Sequence, residues 1–157
     1  MRDGARGPRG LRFQFGDPSM TDEATLTRML QAFHTSPAIQ ALHLRDASVA
    51  ADGSVSATMP LNPDQERFPG SNQFHGGPLA ALIDTIGDLA VAIQVDGPVP
   101  TVNLRIDYLK PALGPHLIAT SRVRRLGKSL AVTDIDVVDG TGALVAIGRG
   151  TYSTKVG

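Results

Sequence analysis

The sequence predicts an α+β domain in which an antiparallel sheet of about six strands wraps around one long helix. Between residues 77 and 94 apolar side chains recur with a helical period through about five turns. Strand-like segments surround this helix, two before it at 41–50 and 54–61, and four after it at 101–109, 116–125, 129–139 and 143–153. Because short turns separate the last four, we interpret them as a meander of antiparallel strands.

The remaining elements follow from local patterns. An amphipathic helix begins near Thr21, and Pro37 ends it; its apolar residues are Leu26, Met29, Leu30 and Phe33. Asp52 and Gly53 form a turn that predicts a hairpin between the first two strands. Pro78 is compatible only with the first turn of the long helix, so that helix is expected to begin close to it.

Composition excludes several classes of protein. The 157 residues contain no Cys, which excludes a disulfide framework, thiolate metal sites and a Cys nucleophile. The 15 basic and 15 acidic residues balance, which argues against a dedicated nucleic-acid binder. No apolar run is expected to span a bilayer, so we expect no membrane contact and a cytoplasmic location. The Arg- and Gly-rich residues 1–19 are expected to form a disordered extension, and 20–157 the domain.

Two features of the long helix could carry chemistry. His75, Gly76 and Gly77 stand at its start, where unpaired backbone N–H groups and the helix dipole could polarise a carbonyl; the alternative is a tight turn with no catalytic role. Asp84 is a carboxylate on a largely apolar helix and could act as a general base or as a nucleophile, the alternative being a solvated acid with no catalytic role. Asp88 lies on the same face, where a solvated acid is the other interpretation.

The spacing of these groups predicts a dimer. Gly76 and Asp84 are eight residues apart, and therefore about 12 Å apart along one helix. They cannot both contact one carbonyl within a single subunit. Antiparallel helices related by a two-fold axis would bring each Asp84 to the glycine of the other chain.

In this order, the motifs resemble those of the hotdog-fold acyl-CoA thioesterases, in the branch of the phenylacetate-pathway thioesterase PaaI. The resemblance covers about residues 40–155 and rests on the tripeptide at 75–77, the acid nine residues after His75, Thr101 at the start of a strand, the segment 108–111, and the later turn 127–129. It implies that the Gly76 amide polarises the thioester carbonyl and that Asp84 of the partner chain is the nucleophile or base. It also implies that Thr101 orients the water or the acid, and that His75 shapes the loop and could bond near the substrate.

One position departs from the family. Members often have an Asn six residues before the His, where this chain has Pro69, and Asn72 could replace it only if the loop is remodelled. Arg67 stands where related hotdog acyl-ACP dehydratases carry a catalytic His, which makes dehydration improbable. Since Pro69 removes a polar group, a non-catalytic acyl-CoA-binding or sensing protein is the alternative function.

Further substrate contacts are expected from groups around these motifs, namely Gly77, Asn72, Asp88, Arg125, Lys128 and Ser129. The basic residues near the fourth and sixth strands could hold the phosphates of coenzyme A, or could simply be solvated. Arg122 and Arg125 are expected on opposite faces of their strand, and Tyr108 and Tyr152 are expected to serve packing. The four His residues show no ligand spacing, so no metal or redox cofactor is expected. The sequence thus predicts an acyl-CoA thioesterase acting as a homodimer or a dimer of dimers.

Overall fold

The computed structural model describes residues 23–155, so the predicted extension at 1–19 lies outside the described residues. Helix α1 spans Glu23–Phe33 and packs its buried Leu26, Met29 and Phe33 against the central helix, as the periodicity predicts. A further helical turn, α2 (Pro37–Gln40), follows it and was not predicted. Its four residues are too few to show a helical period in sequence.

Six strands form a single antiparallel sheet. Their bounds are β1 Arg45–Val49, β2 Val55–Pro60, β3 Thr101–Tyr108, β4 His116–Leu126, β5 Leu130–Asp139 and β6 Leu144–Ser153. The predicted hairpin joins β1 and β2, and Gly53 at its turn has the left-handed φ of +78° that an L side chain rarely adopts. The predicted number and approximate positions of the strands are therefore confirmed.

The prediction of a four-strand meander is wrong at its first strand. The order in the sheet is β1-β2-β4-β5-β6-β3, so that β4, β5 and β6 form a meander while β3 pairs with β6. Because β2 already pairs with β4, the edge next to β4 is occupied, and β3 takes the free edge of β6. This crossover leaves β3 at the edge of the sheet, next to the central helix.

The central helix α3 runs from Gly76 to Val95 and packs against strands β2 to β6 of the sheet. Leu82, Ile83 and Ile86 are fully buried and pack against inward-facing residues of the strands. By length and hydropathy this is a helix that could cross a membrane, contrary to the expectation from the sequence, but most of it is buried inside the sheet. Its apolar composition is that of a core helix.

Candidate active site

The start of α3 is shaped by His75, which is the N-cap of the helix. Its Nδ1 accepts the backbone N–H of Gly77 at 3.0 Å, so the ring is held over the first turn. The amide of Gly77, a predicted substrate contact, is thereby occupied. The Gly76 N–H has no hydrogen-bond acceptor among residues 23–155 and points from the positive end of a helix of five and a half turns.

The loop before α3 is fixed by its own polar contacts. The carboxylate of Glu66 accepts the backbone N–H groups of Gly70 and Asn72 at 2.7 and 2.9 Å, and the His75 N–H donates to the Gln65 carbonyl at 2.8 Å. Asn72 is exposed and adopts a left-handed φ of 53°. The side chain of Asn72 makes no hydrogen bond among the described residues. Its contact with the substrate stays a prediction.

Tyr108, which the sequence interpretation treated as a packing residue, contacts the first turn of α3. Its side chain is half exposed, and its hydroxyl donates to the Gly76 carbonyl at 2.9 Å. The β3 edge therefore helps to fix the first peptide units of α3. The sequence signal that could have shown this is the position of Tyr108 at the end of the edge strand, within the segment 108–111 already named.

Asp84 lies two turns further along α3 and is half buried. Thr101 Oγ1 donates to Asp84 Oδ1 at 3.0 Å, so the structure brings these two predicted residues together in one chain. The hydroxyl of Tyr152 lies 3.1 Å from the Asp84 carbonyl and 3.4 Å from Asp84 Oδ1. Tyr152 is thus a packing residue, as expected, that also contacts the candidate acid.

Asp88 follows Asp84 by one turn on the same face of α3. Burial, together with the negative charge of Asp84, raises the pKa of Asp88 to about 7, although the Val99 backbone N–H partly offsets both effects. Asp88 Oδ1 is buried and has no hydrogen-bond partner among the described residues. The structure therefore excludes the interpretation of Asp88 as a fully solvated acid.

The basic residues of β4 and β6 divide into two groups. Arg122, Arg124 and Arg149 pair with aspartates on the outer face of the sheet, the tightest pair being Arg149 Nε to Asp134 Oδ1 at 2.7 Å. The hydrogen bond from Arg149 holds the pKa of Asp134 below its ordinary value. These three arginines are therefore engaged within the chain.

The second group surrounds the turn between β4 and β5. Arg125, Lys128 and Lys155 have no carboxylate within 4.0 Å in the part of the chain that the structure describes. Thr154 ties the end of β6 to this turn, donating to the carbonyls of Gly127 and Ser129 at 2.8 and 3.0 Å. The turn thus presents three cations together with Ser129.

The expectation that Arg122 and Arg125 point to opposite faces is wrong. A β-bulge between Val123 and Arg125 inserts an extra residue into β4, so Arg125 pairs with Val132 while Arg122 pairs with Asp134. Positions 132 and 134 lie on the same face of β5, because they are two residues apart. Both arginines therefore belong to the outer face.

No group of three or more metal-ligating side chains occurs among residues 23–155. The polar groups around α3 are instead a free backbone N–H at its start and a carboxylate held by two hydroxyls two turns later. This combination suits acyl transfer, in which a carbonyl must be polarised and attacked.

Comparison with known proteins decides the family. Residues 72–146 match the thioesterase superfamily. The chain is 36% identical over 105 residues to human acyl-coenzyme A thioesterase 13, covering 65% of this chain and 74% of that protein. The chain belongs to the thioesterase superfamily. The prediction that this protein is a thioester hydrolase is thereby confirmed.

Solved structures of the superfamily show the same fold. A thioesterase-superfamily protein solved by X-ray crystallography superposes with a TM-score of 0.75 at 31% identity, over 83% of this chain and 98% of the other. The PaaI protein of Escherichia coli, from the phenylacetic acid degradation operon, superposes with a TM-score of 0.71 at 28% identity, over 85% and 95%. The predicted PaaI-type hotdog fold is confirmed. The roles of individual site residues stay predictions.

Proposed function

We propose that this thioesterase hydrolyses acyl-CoA thioesters to a free acid and coenzyme A at two equivalent sites of a homodimer. The observation that carries the proposal is the pairing of an unoccupied Gly76 N–H at the start of α3 with a hydroxyl-bound Asp84 carboxylate on the same helix. Related proteins that bear the name acyl-coenzyme A thioesterase support coenzyme A as the leaving group.

The dimer follows from geometry. Since α3 is one continuous helix, Gly76 and Asp84 of one chain stand about 12 Å apart along it, too far to act on one carbonyl. The face of α3 that carries Ala81 is exposed, and the edge strand β3 exposes Val102 and Tyr108 by more than half. An open edge strand with exposed apolar residues favours pairing with a second copy. In the dimer, Asp84 would face Gly76 of the partner subunit.

The site then divides the reaction between two chains. The Gly76 N–H and the dipole of α3 stabilise the negative charge that develops on the thioester oxygen. The carboxylate of Asp84 either takes a proton from water as it attacks, or attacks itself to form an anhydride that water then opens. By either route water is consumed, the C–S bond breaks, and coenzyme A leaves as its thiol with the acid as the second product.

The nucleotide end of the substrate requires cations. Arg125, Lys128 and Lys155 are available for its phosphates, because Arg122, Arg124 and Arg149 are paired with aspartates. We therefore propose the β4–β5 turn, with Ser129, as the phosphate site. Two further proposals concern the whole protein. We propose that it acts in the cytoplasm without a metal or redox cofactor. We also propose that two dimers could pair into a tetramer.

Release of free thiol from a panel of acyl-CoAs tests the proposal. Wild-type protein is expected to release coenzyme A from at least one member, and Asp84→Asn to lower kcat by about 10²–10⁴, because the base or nucleophile is lost. Near-wild-type turnover in Asp84→Asn would contradict the role of Asp84. Tight binding without thiol release by any member would instead favour the acyl-CoA-binding function that the missing Asn at Pro69 suggests.

A further inference from the structure

The hydroxyl of Tyr152 lies inside the protein although a phenylalanine would fill the same space. The side chain is fully buried between α3 and the sheet, where it packs with Val91, Val99 and Ala131. Burying a hydroxyl has a cost unless it finds a partner. Its two acceptors are both on one residue, the main-chain carbonyl and Oδ1 of Asp84, while the Thr133 hydroxyl lies against it as a donor.

The register of the sheet explains why two hydroxyls meet at the same carboxylate. Tyr152 on β6 and Thr101 on β3 are directly paired across the two antiparallel strands. Side chains of such a pair project from the same face of the sheet. Both therefore approach Asp84 from one side, and both contact Oδ1, at 3.0 Å from Thr101 and 3.4 Å from Tyr152.

Two glycines make room for this arrangement. A Cβ at Gly87, one turn after Asp84, would lie 2.2 Å from Tyr152 Oη, and a Cβ at Gly150 would lie 2.4 Å from the ring. The phenol of Tyr152 thus fills a slot that exists only because positions 87 and 150 are glycines. The slot holds the hydroxyl of Tyr152 in place against α3, and its single hydrogen is shared between the main-chain oxygen and Oδ1 of Asp84.

We propose that Tyr152 is a positioning residue for catalysis, which with Thr101 anchors Oδ1 of Asp84 and leaves Oδ2 as the oxygen that reacts. No hydrogen bond to Oδ2 is present among residues 23–155. The proposal rests on the proposed function, since it assigns a task to the Asp84 carboxylate. The hydroxyl stays protonated as a donor because burial, with the charges of Asp84 and Asp88, raises the pKa of Tyr152.

The test compares Tyr152→Phe with Ser121→Ala. Ser121 is another fully buried hydroxyl of the inner face, and its Oγ has no partner among the described residues, so its removal leaves Asp84 untouched. Tyr152→Phe is expected to lower kcat about tenfold or more with little change in KM, because one hydrogen bond to a charged group is lost. The acid limb of the pH profile of kcat/KM should move to higher pH in this variant, since the ionised Asp84 carboxylate loses a hydrogen-bond donor. The other titratable group close to Asp84 is Asp88.

The outcomes separate the two proposals. Absence of thiol release by the wild type from every acyl-CoA of the panel overturns the proposed function, whereas full activity in Asp84→Asn overturns the role of Asp84 and with it the positioning role of Tyr152. An inactive Asp84→Asn together with wild-type kcat and pH profile in Tyr152→Phe overturns only the positioning role. An equal loss of kcat in Ser121→Ala overturns it as well, because that loss would reflect packing.

A second measurement applies if Tyr152→Phe does not fold. The chain has two tyrosines, so in a Tyr108→Phe background 3-fluorotyrosine labels Tyr152 alone. The fluorinated phenol is a stronger donor of nearly the same shape, and the acid limb is expected to move to lower pH relative to the unlabelled Tyr108→Phe protein. An unmoved limb overturns the proposal.

Discussion

The backbone N–H of Gly76 can be removed without changing the path of the chain. Gly76 is the first helical residue, where proline is well tolerated, and His75 before it has the extended ψ of 147° that proline requires. A Cβ at this position would meet only the Tyr108 ring, at 3.5 Å. Gly76→Pro thus replaces the amide hydrogen with a ring carbon, while Gly76→Ala retains the N–H.

We expect Gly76→Pro to lower kcat about 10²–10³-fold, because a donor to the developing oxyanion is lost. Gly76→Ala is the matched control and should keep most of the activity, while circular dichroism checks that both variants are folded. Equal activity in the two variants would show that the amide does not stabilise the transition state.

Asp88 gives a prediction about stability. Its pKa of about 7 in the folded chain lies above the ordinary value of 3.8, so the folded state binds the proton more tightly than the unfolded state. The contribution of Asp88 to the free energy of unfolding is therefore undiminished below about pH 4 and falls as pH rises to about 7, by at most about 4 kcal/mol.

Asp88→Asn removes this titration. Its free energy of unfolding should exceed that of the wild type at pH 8.5 and approach it at pH 4.5, measured by urea denaturation at both values. A difference that is the same at both pH values would mean that Asp88 ionises freely in the folded protein.

At the scale of single elements, the β4–β5 turn can be tested apart from the chemistry. Lys128→Ala should raise KM for an acyl-CoA about two- to fivefold, since one exposed ionic contact to a phosphate is lost. The KM of an acyl thioester of N-acetylcysteamine, which has no phosphate, should not change. Arg124→Ala is the control, because Arg124 is paired with Asp134 at 3.4 Å; an equal effect in both variants would argue against a phosphate site at the turn.

The elements themselves were largely predictable, because periodicity reports which face of a segment is buried. Helix α3 and the strand positions follow from that pattern. The place of β3 beside β6 does not, since strand order depends on contacts between distant segments. The bulge that turns Arg125 to the outer face is also invisible in a simple alternation of residues.

The candidate site was predictable only in part, for a related reason. Asp84, Thr101 and Gly76 lie in recognisable motifs, whereas Tyr152 is separated from Asp84 by 68 residues and joins it through the pairing of β3 with β6. A buried tyrosine at an inward position is indistinguishable in sequence from an ordinary core residue. The strand register supplies the missing information.

At the scale of the whole molecule, a site shared between two chains can be reconstituted from two defective ones. Gly76→Pro and Asp84→Asn should each be almost inactive alone. In a mixed dimer, one site combines both defects and the other combines the intact Gly76 of one chain with the intact Asp84 of its partner. Because one of its two sites is intact, the mixed dimer should have about half of wild-type activity.

Co-expression of the two variants with different affinity tags, followed by purification on both, isolates the mixed dimer for this assay. The Asp84→Asn protein carried through the same steps is the control. A mixed dimer with no more activity than its parents would place both groups of each site in a single chain.

Helix α3 has few positions at which the sequence could change. One of its faces packs against the sheet, another carries Asp84 and Asp88, and its first residues provide the Gly76 amide. Sequence differences among enzymes with this fold should therefore concentrate outside α3. In this chain the segments outside the sheet and α3 are the loop at 62–73 and the α1–α2 region, so we expect new acyl preferences to evolve there while the helix stays nearly constant.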